Sequence, residues 1–244
     1  MKKKIKNILA IVLIVLVIIV VAFSIYVRDI YDASELAYDS LTTSEEVKLI
    51  ENEGIIHFKP IQDSVTGIIF YPGGKVDEVA YAPLTKELAQ EGYETFIVEM
   101  PFNLAVFDID AADSIVEENP HIDSWYLAGH SLGGAMAAIY AEDKVEELDG
   151  LILLAAYSTA DLSQTNLPVF ILSASEDQVM NQEQVEEYRA NLPDNAILEE
   201  IKGGNHAQFG RYGEQEGDGK AQISARDQQK VTVEAINHFI KNNQ

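Results

Sequence analysis

The first feature of the chain is a long apolar run near its N-terminus. Residues 8–27, ILAIVLIVLVIIVVAFSIYV, contain no charged side chain over twenty positions. A helix rises about 1.5 Å per residue, so a helix of this length covers about 30 Å, the thickness of the hydrocarbon core of a bilayer. The run therefore predicts a helix that crosses a membrane.

Two other interpretations compete with a membrane anchor. A buried helix of a globular domain rarely lacks polar residues over this length. A cleaved signal peptide usually has an apolar region of about 7–15 residues followed by a small-x-small site. Here the one passable site, Ala22-Phe23-Ser24, lies inside the run. We therefore expect an uncleaved anchor, with a secreted form as the alternative if the segment is removed.

Beyond residue 46, short apolar runs alternate with helical patterns. Runs rich in β-branched and aromatic residues predict strands at 47–50, 55–58, 67–71, 95–98, 125–128, 151–155, 169–173 and 197–201. Helical spacing of apolar positions predicts helices at 80–91, 105–118, 132–142, 181–192 and 223–241. This alternation indicates an α/β fold with a mostly parallel central sheet and helices on both faces, and the closely spaced first strands indicate an antiparallel edge.

The patterns divide the chain into three parts. Residues 1–28 form a basic end and the anchor, residues 29–46 form a polar and acidic juxtamembrane spacer, and residues 47–244 form the globular domain.

Charged residues are distributed unevenly between these parts. The 244 residues include 17 Lys and Arg against 40 Asp and Glu, a formal charge of −23, yet four lysines lie within the first six positions and every acidic residue follows them. Lysines on a short N-terminal flank stay in the cytoplasm, which directs the domain to the outer side of the membrane. An acidic domain lacks the basic surface that nucleic-acid binding requires, so we exclude that class of partner.

Composition also limits the chemistry of the domain. Without cysteine the chain has no disulfide, no thiolate nucleophile and no cysteine-based zinc site. No pair of histidines has metalloprotease spacing, and no acidic run matches a calcium-binding loop. We therefore expect neither a metal nor another cofactor.

The clearest chemical motif is GHSLG at residues 129–133, between a predicted strand and a predicted helix. A sharp strand-to-helix turn holds a serine in a strained conformation and exposes its hydroxyl, and glycines two positions before and after avoid collisions. The motif therefore predicts Ser131 as a nucleophile. The N–H of Leu132, the residue after the nucleophile, is a predicted oxyanion donor.

A serine nucleophile needs a base to take its proton and an acid to orient that base. In the fold that carries this turn, the chain order is serine, acid, histidine. Two of the five histidines precede Ser131, His130 adjoins it, and His238 lies in the last helical pattern, so His206 is the candidate base. The acid is expected where the strand 169–173 ends, at Glu176 or Asp177.

Other candidates for the acid and for the second oxyanion donor follow from position. Asp161 and Asp194 also lie between the serine and the histidine but are less well placed at strand ends. The second oxyanion N–H should come from the loop after the third strand, PGGK at residues 72–75, where we choose Gly74 and keep Lys75 as the alternative.

Several segments together resemble the alpha/beta-hydrolase superfamily, in particular its compact bacterial members related to dienelactone hydrolases and small carboxylesterases. The segments are FYPGGKVDEVAYAPLTKELAQEGYETFIVEMPFNLAVF, AGHSLGGAMAA, LSASEDQV and KGGNHAQFGRYG, and the resemblance covers residues 54–240. It favours Asp177 over Glu176, because the acid of the family stands two residues before an apolar one. The site residues that it implies are Ser131, Asp177 and His206, with the N–H groups of Gly74 and Leu132.

The resemblance has two limits. Dienelactone hydrolases proper use a cysteine nucleophile, and this chain has no cysteine, so the resemblance does not extend to that activity. Only residues 157–167 separate the sixth and seventh predicted strands, which is too short for a cap domain. We expect an open site that is shaped by the loops at 100–103 and 208–220.

The function predicted from these residues is acyl transfer by a serine hydrolase, with a small or medium-sized ester as the substrate. An acyltransferase or a peptidase would use the same three residues. A membrane-tethered interaction protein without catalysis is the alternative from a different class.

Overall fold

The structure is a computed structural model that describes residues 2–52 and 54–243. The side chains of Lys2 and Lys3, which belong to the predicted basic flank, lie outside the described part, as does Met1. The chain forms two compact units, Met1–Ile30 and Tyr31–Gln244. The first unit contains one helix, α1 (Lys2–Tyr26), which is long and apolar enough from Lys4 onward to cross a membrane. The same length and composition also suit a signal sequence.

The second unit is built on an eight-stranded sheet with the order β1-β2-β4-β3-β5-β6-β7-β8. Strand β2 runs antiparallel to β1 and β4, and the other pairs of neighbours are parallel. The strands are β1 (Val47–Asn52), β2 (Ile55–Pro60), β3 (Thr66–Tyr71), β4 (Glu94–Val98), β5 (Ser124–His130), β6 (Gly150–Leu154), β7 (Val169–Ala174) and β8 (Ile197–Ile201). The predicted mostly parallel sheet with an antiparallel edge is confirmed.

Helices cover both faces of the sheet, as the sequence predicts. They are α2 (Glu35–Asp39), α3 (Ala82–Gln90), α4 (Ala112–Glu118), α5 (Leu132–Asp143), α6 (Gln182–Glu187) and α7 (Ala225–Asn243). One apolar core contains Leu84 and Leu88 of α3 with Ile236 of α7. The other core contains Ile115 of α4 and Tyr140 of α5. The sheet thus separates two cores, and the ends of its strands remain available for loops.

Three predicted helices are shorter or more divided than their sequence patterns indicate. The predicted helix 105–118 is a 3₁₀ turn, Ala105–Phe107, followed by α4. Asp108 between them has φ −153° and ψ 65°, which is not helical, and Asp side chains compete with helical backbone hydrogen bonds. The predicted helices 80–91 and 181–192 likewise each combine a 3₁₀ turn with an α-helix.

The segment predicted as a spacer, residues 29–46, is packed on the domain from Tyr31 onward. The N–H of Tyr31 donates to the carbonyl of Lys75 at 2.7 Å, and the N–H of Asp77 donates to the carbonyl of Tyr31 at 3.0 Å. Ala37 of α2 is fully buried, and the ammonium of Lys86 on α3 donates to carbonyl oxygens of this segment. Most of the segment is therefore part of the domain structure.

Strand β8 is the last strand of the sheet, and its first four residues are exposed. Two of these residues are the apolar Ile197 and Leu198, and the other two are Glu199 and Glu200.

Candidate active site

Ser131 lies at the sharp turn between β5 and α5, at the carboxyl end of a central parallel strand. Its backbone has φ 51° and ψ −120°, a strained conformation for a residue with a side chain. The N–H of Ser131 donates to the carbonyl of Leu154 on β6 at 3.0 Å, which ties the turn to the neighbouring strand. The turn therefore has the geometry that the GHSLG motif predicts.

Close backbone contacts explain the two glycines of the motif. A Cβ added at Gly129 would lie 2.6 Å from the carbonyl carbon of Gly133. A Cβ added at Gly133 would collide with the carbonyl oxygens of Tyr71 and Pro72. A side chain at Gly129 would therefore separate β5 from the start of α5, and one at Gly133 would separate α5 from the end of β3 and the loop after it.

His206 and Asp177 form a buried pair. Nδ1 of His206 lies 2.8 Å from Oδ2 of Asp177, and the two side chains are 1% and 2% exposed. The other carboxylate oxygen, Oδ1, accepts the N–H groups of Val179 at 2.9 Å and Met180 at 3.0 Å. The Asp177 carboxylate is therefore fixed, and a proton on Nδ1 leaves Nε2 of a neutral His206 as the acceptor.

Ser131 and His206 line the same cavity, which has a volume of about 280 Å³. Nε2 of His206 is buried and has no hydrogen-bond partner among the described residues, so it does not bond to Ser131 in this structure. No described Asp, Glu, Lys or Arg side chain lines the cavity. The remaining lining comes from Leu132, Ala135, Ala155, Ala156, Tyr157, Val179, Met180, Asn181 and Gln184.

The walls of this cavity differ from those expected from the sequence. The predicted loops at 100–103 and 208–220 do not line it, and residues 155–157, residues 179–181 and Gln184 form its sides. The connection from β6 to β7 contains neither a helix nor a strand, so no cap domain is inserted at this position. Tyr157 is held over the cavity edge by stacking on Tyr188 at 5.3 Å and by a 2.6 Å hydrogen bond from its hydroxyl to Gln184 Oε1.

The loop after β3 presents one free N–H between two that are bonded. The N–H of Gly73 donates to the hydroxyl of Tyr81 at 3.0 Å, and the N–H of Lys75 donates to the carbonyl of Asn103 at 2.8 Å. Among the residues that the structure describes, no acceptor takes the N–H of Gly74. A Cβ added at Gly74 would lie 2.8 Å from a methyl group of Leu132, so the two candidate donors are neighbours.

Tyr81 links this loop to the histidine beside the nucleophile. Its hydroxyl oxygen accepts the N–H of Gly73, and the same hydroxyl is hydrogen-bonded to Nδ1 of His130 at 2.8 Å. His130 is completely buried, and burial, followed by the charge of His206, lowers its pKa well below the usual value. The rings of His130 and His206 lie 4.6 Å apart. A neutral second histidine thus packs against the candidate base.

Asp218 connects the loops that carry the acid and the histidine. Its carboxylate accepts the N–H groups of Ala207 at 2.9 Å and His206 at 3.4 Å. It also accepts the N–H of Gln178, the residue after Asp177, at 3.4 Å. The sequence predicts no role for Asp218 or Tyr81, because neither belongs to a motif and their partners are distant along the chain.

The other candidate acids do not meet a histidine near Ser131. Glu176 is partly exposed, and its Oε1 accepts hydrogen bonds from Ser175 and Gln222. Asp161 and Asp194 are also exposed. Within residues 2–52 and 54–243, no group of three metal-ligating side chains could hold a metal ion.

The comparisons with known proteins agree with this fold. A model of the alpha/beta hydrolase family matches residues 67–230. Carboxyl esterase 2 of the mycorrhizal fungus Tuber melanosporum superposes with a TM-score of 0.62 at 15% identity, covering 88% of this chain and 91% of that one. A hormone-sensitive lipase from a metagenome library gives 0.62 at 16% identity, covering 86% and 90%.

A smaller structure is similar over nearly its whole length. A predicted CIB-like hydrolase of Thermoplasma acidophilum has a TM-score of 0.57 at 16% identity, and the alignment covers 79% of this chain and 98% of that one. A comparison with curated proteins finds no match. At these identities the solved structures establish a common fold.

Proposed function

The chain belongs to the alpha/beta-hydrolase family, and we propose that it is a serine hydrolase that cleaves small or medium-sized carboxylic esters through an acyl-enzyme. The observation that carries the proposal is the buried pair of His206 and Asp177, whose histidine shares one cavity with the strained Ser131. Backbone strain at a serine, a fixed carboxylate and a buried unpaired imidazole nitrogen in one place are typical of nucleophilic catalysis.

In the proposed mechanism Ser131 attacks the ester carbonyl carbon while its proton passes to Nε2 of His206. The carbonyl oxygen becomes negative, and the N–H groups of Leu132 and Gly74 stabilise it. His206 then gives the proton to the leaving alcohol, so the ester bond breaks and the acyl group stays on Ser131. A water molecule that loses its proton to His206 releases the acid.

Bonding in the loop after β3 supports Gly74 rather than Lys75 as the second oxyanion donor. The N–H of Lys75 already donates to Asn103, so its use would require that hydrogen bond to break. The start of α5 beside Ser131 adds the positive end of a helix dipole, which favours the same negative charge.

The cavity supports the proposed class of substrate. Its lining carries no permanent charge, and a volume of about 280 Å³ suits a short acyl or alcohol group. A neutral ester satisfies both conditions, whereas a charged substrate would enter without a counter-ion.

The N-terminal segment bears on where the protein is located. Residues 1–28 act as an uncleaved anchor, with the lysines in the cytoplasm and the hydrolase domain outside. The length and apolar composition of α1 support its role as an anchor. Intact mass measurement of the membrane-bound protein tests whether residues 1–28 are retained. Protease accessibility of the domain in sealed cells tests whether the domain faces outside.

Labelling with a fluorophosphonate probe tests the chemistry. We expect the wild-type protein to label and to hydrolyse short-chain nitrophenyl esters, and Ser131→Ala to do neither. Ser114→Ala, on the exposed surface of α4, is the matched control. Labelling of Ser131→Ala would overturn the assignment, and a folded wild type that never labels would favour an interaction protein. Added alcohol or amine acceptors distinguish transfer and peptide cleavage from hydrolysis.

A further inference from the structure

A second cavity, of about 280 Å³, lies between α2, α3 and the first turn of α7. None of the residues that line it lines the cavity of Ser131. Its charged lining consists of Lys86, Arg211 and Arg226 with one carboxylate, Glu87. In a chain with 40 acidic and 17 basic residues, a pocket with three cations and one anion is an unusual concentration of positive charge. We call it the basic pocket.

Arg211, one of the three cations of the basic pocket, lacks a carboxylate partner. It is half-buried, and its Nε donates to Oε1 of Gln229 at 2.7 Å. No carboxylate oxygen of the described residues lies within 4.0 Å of the guanidinium of Arg211 or Arg226. Burial lowers the pKa of Arg211, Glu87 opposes this effect, and Arg226 adds to it. A partly desolvated guanidinium without a counter-ion is costly unless an anion from outside the chain pairs with it.

Gln229 adds an unpaired donor to the same wall. Gln229 is only 2% exposed. Because Oε1 accepts from Arg211, the orientation of the amide is fixed and the NH₂ group is the other end. This Nε2 is buried and has no acceptor among the described residues. Buried donors are nearly always bonded, so this unpaired donor is an exception in the wall of the pocket.

We propose that the basic pocket binds a phosphate group. The guanidinium groups of Arg211 and Arg226 would donate to its oxygens, because guanidinium forks match phosphate geometry. Lys86 contributes charge only, since its ammonium already donates to the carbonyls of Ser40 and Thr42 and to the hydroxyl of Thr42.

Charge favours phosphate over a carboxylate in this pocket. The three cations and Glu87 leave a surplus of two positive charges. A phosphate monoester carries a charge of about −1.5 to −2 at neutral pH, which matches the surplus, and it offers three acceptor oxygens to the two guanidinium groups. The same group occurs on soluble phosphomonoesters and on the headgroup of an anionic lipid, and the segment that supplies Leu36 and Ser40 follows the apolar helix in the sequence.

Titration calorimetry of the full-length protein in a nonionic detergent tests the proposal. The probe is inorganic phosphate at constant ionic strength, and sodium chloride is the salt control. We expect saturable binding to the wild type and binding at least about tenfold weaker for Arg226→Gln, which loses one charge-assisted donor fork. Arg189→Gln, which removes an exposed arginine that pairs with Glu186, should bind like the wild type.

The results that would overturn the proposal differ from those that we expect. Absence of saturable binding to the wild type at tens of millimolar phosphate, or equal weakening by Arg189→Gln, would overturn the proposal. Arg211→Gln should abolish binding; if it fails to fold, Arg226→Gln alone decides, because that residue is exposed. A further arm adds phosphatidate to neutral detergent micelles. Tighter binding to these micelles than to glycerol phosphate, again lost in Arg226→Gln, identifies a lipid headgroup, and equal binding identifies a soluble phosphate.

Discussion

Replacing Asp177 with asparagine should disable the proposed base while leaving the cavity intact. In the protein, Oδ1 of Asp177 accepts the N–H groups of Val179 and Met180, and Oδ2 faces Nδ1 of His206 at 2.8 Å. The carbonyl oxygen of asparagine would keep the two backbone donors, so its NH₂ group must face His206. That NH₂ donates to Nδ1, which moves the imidazole proton to Nε2, and His206 then cannot accept the proton of Ser131.

The expected loss is large because the substitution removes the correct tautomer. A wrong tautomer in a serine, histidine and aspartate site costs about ten-thousandfold in kcat. At about 1.36 kcal/mol per factor of ten, this is about 5.5 kcal/mol of transition-state stabilisation. KM should change by less than about twofold, because Asp177 does not line the cavity of Ser131. The unfolding midpoint should fall only slightly, since the backbone hydrogen bonds are kept.

Steady-state hydrolysis of a short-chain nitrophenyl ester measures both constants, with thermal unfolding as the check on folding. The matched control is Glu176→Gln, which neutralises the partly exposed neighbouring carboxylate and should leave kcat within about twofold. A folded Asp177→Asn protein that keeps more than a tenth of the wild-type kcat would refute the reasoning. A large loss in Glu176→Gln instead would transfer the role of the acid to that residue.

Three further predictions follow from contacts near the site and across the sheet. Tyr81→Phe removes the acceptor for the Gly73 N–H, so kcat for the same ester should fall about tenfold with KM unchanged; an unaltered kcat would contradict the role of this hydrogen bond. Gly133→Ala drives a methyl group into the carbonyl of Pro72 and should lower the free energy of unfolding by about 1–3 kcal/mol, measured by urea denaturation. Burial raises the pKa of Glu94, but hydrogen bonds from two histidines and a lysine bring it down to about 2. The stability that Glu94 contributes is therefore complete above about pH 4.5 and lost as the pH falls towards 2, so the stability difference between wild type and Glu94→Gln should narrow over that range.

Most of the fold could be predicted because each strand is a separate apolar run bounded by turn residues. Even the exposed β8 was recognisable from Ile197, Leu198 and Ile201. Helix ends were harder to predict, because Asp108 and Asp110 in the pattern 105–118 fit a helical period by position yet lie in the irregular segment between a 3₁₀ turn and α4. The packing of the segment after Tyr31 could not be read from its polar composition, since its attachment depends on backbone hydrogen bonds to residues about 45 positions away.

The residues of the candidate site could also be predicted only in part from the sequence. Ser131, Asp177 and His206 could be selected because a local motif and the chain order restrict them. Tyr81 and Asp218 could not, because their importance depends on which loops lie against each other in three dimensions. The sequence around Tyr81 and Asp218 carries no signal. Their roles become visible only in the structure, where the Tyr81 hydroxyl contacts His130 and the Asp218 carboxylate accepts hydrogen bonds from two loops.

The open edge of β8 affects how copies of the protein behave when they are crowded together. An edge strand offers unpaired N–H and C=O groups that can pair with a strand of another molecule, and Ile197 and Leu198 alone would encourage such association. Glu199 and Glu200 stand beside them on the same short strand. Two sheets that met edge to edge would bring four carboxylates together, so aggregation through this edge is opposed even at high local concentration.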